Sequence, residues 1–108
     1  MMTDGLYHVV FQTAFGSGSG VATLQDGRLR GGDADYSFKG VCTGDSRRIV
    51  AEIQVERRKQ GRGGLSGKWR AIDIRLEGQP GVKASAMTGA LSASPDLPVA
   101  AVLTRISD

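Results

Sequence analysis

Few side chains in this sequence could do chemistry, and their spacing argues against most of it. His8 is the single histidine and Cys42 the single cysteine. A zinc site takes about four ligands of suitable type. One imidazole and one thiol do not supply them, so no metal site is expected. His8 has no nucleophile near it in the chain, so no catalytic triad is expected either. Asp33 and Asp35 stand one residue apart, in the manner of an acid–base pair. An aspartate after Gly31-Gly32 is better explained as a side chain that caps a turn. Gly16, Gly18 and Gly20 suggest a phosphate cradle. Such a cradle opens a helix after a strand and ends in a Lys-Ser/Thr pair. Here β formers follow and the pair is absent, so the run reads as a glycine-rich hairpin turn. Arg57, Arg58, Lys59, Arg62, Lys68 and Arg70 flank a glycine-rich loop, with Trp69 beside them. Basic residues neutralise phosphates and aromatics stack bases. A lone aromatic among glycines points instead to a solvated hairpin tip, and away from nucleic acid. Neither a cofactor nor an enzymatic activity is expected from this set.

The bulk of the chain must build a scaffold for binding. Its 108 residues form one domain, 1–108, with one small core. Sixteen glycines and three prolines, without a repeat period, predict many tight turns between short strands. No apolar run approaches the roughly 18 residues of a membrane span. The opening MMTDGLYHVVF lacks a basic n-region and a cleavage site, so no secretory signal is expected. One cysteine fits a reducing cytoplasm. The formal net charge of +3 permits an acidic partner or nucleic acid without requiring either.

The elements follow from period-two alternation. Residues 4–13 predict a first strand, with Tyr7, Val9 and Phe11 on the core face. A turn over Ala14–Ser19 leads to a second strand over 20–25. Asp26-Gly27 predicts a type I′ hairpin turn, because that turn needs positive φ at both central positions. Short strands follow over 28–31 and 36–43, the latter placing Tyr36, Phe38, Gly40 and Cys42 on one face. Residues 47–58 carry the clearest pattern, with Ile49, Ala51, Ile53 and Val55 inward and β-branched residues favouring a strand over a helix. A loop over 59–67 precedes a strand over 68–77, with Ile72, Ile74 and Leu76 inward. Gln79-Pro80-Gly81 makes a turn. A weaker strand over 82–93, a loop over 94–98 and a last strand over 99–107 complete the chain.

Seven or eight strands at this spacing predict an all-β barrel or sandwich. Hairpin links between neighbours favour an antiparallel, up-and-down barrel. Such a barrel has an interior just wide enough to fill or to hold one small ligand. Tyr7, Phe11, Phe38 and Cys42 would line it. In the last strand Val99, Ala101 and Leu103 alternate with Ala100, Val102 and Ile106, so both faces are apolar. One face enters the core and the other predicts a homodimer built on this strand. Val99, Ala101 and Leu103 are its candidate dimer positions.

Three segments also carry a family likeness. DGLYHVVF, GSGSGVATLQDGRLRGGD and YSFKGV together resemble the GrlR family, small negative regulators of type III secretion gene expression in Gram-negative bacteria. The shared positions are Asp4, Gly5 and Tyr7; Gly18 and Gly20; Gly31, Gly32 and Asp33; and Tyr36, Gly40 and Val41. They cover about the first half of the chain. The resemblance implies a lipocalin-like, dimeric β-barrel without chemistry. It implies a protein partner, a transcriptional activator that the barrel sequesters. It also places the partner contact in the turn after the Gly40-Val41 strand, at Asp45, Ser46, Arg47 and Arg48. In the family this turn carries an acidic run that steers a basic partner. Here one acid precedes two arginines, and an arginine pair repels a basic partner.

Overall fold

In the computed structural model the chain rolls into a closed antiparallel barrel. The structure describes residues 2–14, 16–32, 36–57 and 71–107. Asp33, Asp35 and the basic run Arg58, Lys59, Arg62, Lys68, Trp69 and Arg70 lie outside the described residues, as does the side chain of Arg57. The strands are β1 (Gly5–Thr13), β2 (Gly16–Gln25), β3 (Arg28–Gly32), β4 (Tyr36–Gly44), β5 (Ile49–Arg57), β6 (Ala71–Gly78), β7 (Ala84–Leu91) and β8 (Ser94–Ser107). Each pairs with its neighbour in sequence. β1 also pairs with β8, with Phe11 opposite Ala101 and Val9 opposite Leu103, and so closes the wall. Closure removes the unpaired edges that an open sheet exposes. The up-and-down barrel expected from hairpin-linked strands is therefore the fold, with eight strands among the described residues.

Alternation decides what faces inward. Tyr7, Val9 and Phe11 on β1, Ile49, Ala51, Ile53 and Val55 on β5, and Ile74 and Leu76 on β6 are buried, as their period predicts. Leu24, Leu29, Met87, Val99 and Leu103 complete the most buried layer. Each such side chain contributes about 1.5–3 kcal/mol through burial. At the β2–β3 hairpin Asp26 has φ 53° and Gly27 φ 80°, both positive as a type I′ turn requires. Asp4 steadies this turn from the far end of the chain order, its carboxylate accepting the Asp26 N–H at 3.2 Å. Gly27 returns a bond to the next hairpin, its carbonyl accepting the Cys42 N–H at 2.7 Å.

Four strands differ from expectation by two residues or more at a described end. The run Gly16–Gly20 is not a turn but the first half of β2, paired along its length with β1. Its inward glycines face large aromatics, so missing side chains serve packing there. β5 begins at Ile49, not at Arg47, because the Asp45 carboxylate holds both arginine N–H groups in the turn. β7 spans only Ala84–Leu91, since the Gly81 N–H donates to the buried Ser85 hydroxyl at 3.1 Å and keeps the chain in its turn. Residues 94–98 belong to β8, although they hold Pro95 and Pro98. The register shifts between Ala90, opposite Pro98, and Leu91, opposite Ser94. The prolines sit at this irregularity, where a missing N–H costs no ladder bond.

Candidate functional site

The interior is the candidate site for a small apolar ligand. Tyr7, Phe11, Phe38 and Cys42 all point inward and are buried. The void they would line has a volume of about 20 Å³ and is walled by Phe11, Phe38, Leu29, Ile53 and Leu76 among others. That is the room of one water molecule, without polar partners to hold it. Tyr7 and Cys42 do not reach it. The Tyr7 hydroxyl donates to the Thr3 carbonyl at 2.5 Å, and burial pushes its pKa up. Burial likewise pushes the Cys42 thiol up, away from the reactive thiolate. His8 faces outward on β1 while Cys42 faces the core from β4, so the fold keeps the two apart. Among the described residues, no group of three or more His, Cys, Asp or Glu stands together in the manner of a metal site.

The turn Asp45–Arg48 is built tightly from its own residues. The Asp45 Oδ1 accepts the Arg47 N–H at 2.8 Å and the Arg48 N–H at 3.1 Å. The Asp45 N–H donates to the Arg48 carbonyl at 3.0 Å. The two backbone N–H groups favour the charged carboxylate and hold Asp45 below the usual aspartate range. Arg48 Nη2 donates to Glu77 Oε1 at 2.5 Å on β6, and Arg75 Nη1 reaches the same oxygen at 2.8 Å. Hydrogen bonds from Arg48, then Arg75, lower the Glu77 pKa. Both members of each pair are well exposed, so these bridges contribute little to stability. Of the expected contact residues, Asp45 and Arg48 are thus engaged within the chain. Ser46 and Arg47 are exposed beside them.

The barrel's outer wall divides into two unlike halves. Over β2, β1, β8 and β7 the outward positions include Ser19, Val10, Val102 and Ala86 in one row. The next row is Val21, His8, Thr104 and Ala84, and neither row holds a charged carboxylate, Lys or Arg. Val10, Val21 and Val102 are exposed here. By contrast Val99, Ala101 and Leu103, the expected dimer positions, point into the core and are at most 5% exposed. Alternation assigns the two faces of β8 in opposite senses, so Val102 and Ile106 are the apolar side chains it offers outside. Across β3 to β6 the wall is charged. Arg30, Lys39, Gln54 and Asp73 form one row, and Arg28, Val41, Glu52 and Arg75 the next. All but Arg75 border a surface groove of about 700 Å³.

Residue patterns missed this groove. Arg28 and Arg30 announce a common face by their spacing, but Lys39 joins them only through the β3–β4 register. No family model matches the chain, and no curated protein matches it.

Proposed function

We propose that this chain is a non-enzymatic regulatory binding protein that works in a bacterial cytoplasm. In this reading it acts as GrlR-type proteins do, sequestering a transcriptional activator and restraining type III secretion genes. The observation that carries the reading is the contrast between inside and outside. The interior is filled to a void of about 20 Å³, whereas the outer wall bears a groove of about 700 Å³. A shell packed in this way recognises with its surface. The Asp45 turn supports the reading, because its internal bonds fix Ser46 and Arg47 before any partner arrives, which lowers the ordering cost of binding. The uncharged half of the wall supports a homodimer, since interface cores are depleted in charge.

The alternative is a carrier that holds a small apolar ligand against Tyr7, Phe11, Phe38 and Cys42. The void weighs against it, because small-molecule pockets start at roughly 300 Å³. Affinity capture from a lysate of the source bacterium tests the main reading. The unaltered chain is expected to recover a transcription factor that the double variant Arg47→Glu with Arg48→Glu does not. Recovery of no protein partner at any salt concentration overturns it.

A further inference from the structure

Three cations on the outer wall have no counter-charge among the described residues. Arg30 on β3 lies directly opposite Lys39 on β4, and Arg28 shares the outward face of β3 two residues away. All three are exposed. Among the described residues no carboxylate comes within ion-pair distance of any of them, and the ion pairs of this wall are those of Arg48 and Arg75 with Glu77 and Glu52. Like charges placed opposite one another across a ladder destabilise it. No ion pair among the described residues offsets that cost here. A local rule broken without a structural return marks a place kept for binding.

We propose that Arg28, Arg30 and Lys39 bind an extended acidic segment of a partner protein, laid along β3 and β4. This rests on the binding-protein reading and names the partner's chemistry. Three features define the occupant. Alternate side chains of a strand repeat at about 7 Å, so Arg28 and Arg30 match carboxylates at every second residue of an extended chain. Val41, opposite Arg28 and 51% exposed, offers an apolar contact between the charges. Glu52, opposite Val41 on β5, and Asp73, opposite Gln54 on β6, bound the strip on one side. The cationic ground is therefore only two strands wide. That width suits one peptide strand. It suits nucleic acid poorly, because three cations neutralise few phosphates and no aromatic side chain faces outward on the described strands β3 to β6 for bases to stack on.

Fluorescence anisotropy with labelled probes tests the strip. The probes are an octapeptide alternating Glu and Ser, its Lys-Ser counterpart and a single-stranded oligonucleotide of equal charge to the acidic peptide. The full chain is expected to bind the Glu-Ser peptide best. Salt near 1 M should abolish binding, as the screening length shrinks to roughly 3 Å. Arg28→Gln, Arg30→Gln and Lys39→Gln combined are expected to weaken binding about tenfold, as three exposed ion pairs allow. The same variant should keep the far-ultraviolet spectrum of the barrel and melt no lower, because it removes opposed like charges. A Lys83→Gln control, on the β6–β7 turn, should bind unchanged. Equal binding by the triple variant, or preference for the oligonucleotide, overturns the proposal. Partner capture by the unaltered chain without any binding of the Glu-Ser peptide overturns the strip alone and leaves the binding-protein reading standing.

Discussion

Phe11 and Phe38 meet edge to face in the barrel, their ring centroids 5.4 Å apart and their planes at 89°. This geometry sets the positive edge of one ring against the negative face of the other and adds about 0.5–1.5 kcal/mol to the area they bury. The pair also explains the glycine run on β2. A Cβ at Gly18 would stand 2.7 Å from Phe11 Cζ, and one at Gly20 would stand 2.9 Å from Phe38 Cε2. The glycines are absent side chains that make room for two rings.

Gly18→Val should therefore destabilise the protein by about 1–3 kcal/mol, the range of an overpacked core. Urea denaturation followed by circular dichroism measures it. Pairing the change with Phe11→Ala should recover part of the loss, because the two residues are register partners and changes at touching sites are not additive. A double variant whose loss equals the sum of its single losses would remove the steric account. Phe38→Ala alone should cost about 3–5 kcal/mol.

Much of this fold was legible before any coordinates. The alternation of Ile49, Ala51, Ile53 and Val55 names β5 as a half-buried strand, and Asp26-Gly27 names the turn type of the β2–β3 hairpin, because both signals act within a few residues. The glycine run was misread for a physical reason. Its strand character comes from pairing with β1 and from the rings of Phe11, seven residues from Gly18, and Phe38, eighteen residues from Gly20. The strand pattern claims Arg47 and Arg48 for β5, but the Asp45 carboxylate keeps both in the turn, and the tie from Arg48 to Glu77 depends on β6 lying beside β5. The cationic strip needed register most of all. Lys39 reads as an ordinary outward lysine until β4 is set against β3.

The proposed homodimer would use the uncharged half of the wall. Val10 and Val102 are direct cross-strand partners at its centre. Copies that carry a net positive charge repel one another except across a face without charge. Val10→Glu with Val102→Glu should convert a dimer to a monomer while leaving the barrel folded, as read by light scattering after size exclusion. Val99→Ala should do the opposite, lowering stability without changing mass, because Val99 is 2% exposed and packs inside. A mass unaffected by the double glutamate variant would exclude this face.

Acid should loosen the Asp45 turn first. Asp45 titrates below its ordinary 3.8 because the Arg47 and Arg48 N–H groups, in that order, bond its charged form. Glu77 titrates below its ordinary 4.5 through Arg48 and then Arg75. A depressed folded pKa means that the unfolded chain binds the proton more readily. The stabilisation is thus complete above the ordinary values and is lost as pH falls through the lower, folded ones. Asp45→Ala should lower the thermal midpoint at neutral pH, where the stabilisation is complete, and flatten its fall in that acid window. An unaltered acid profile in the variant would show that the turn bonds do not report on folding.

Cys42 should resist chemistry until the barrel opens. Its thiol is 3% exposed, and burial lifts its pKa above the ordinary 9.0. Two independent factors then slow alkylation in the native state, since the reagent cannot reach the sulfur and the thiolate is scarce. Labelling by iodoacetamide at mildly alkaline pH should proceed through transient opening, at least about a hundredfold more slowly than in the unfolded chain. Its rate should rise with urea in step with the unfolded fraction. Cys42→Ala should cost little, for the thiol behaves as a small hydrophobe. Cys42→Ser should cost about 1–3 kcal/mol unless the new hydroxyl finds a partner, because a buried polar group loses its water. Rapid native labelling would instead place the sulfur within reach of solvent and undo the assignment of β4's inward face.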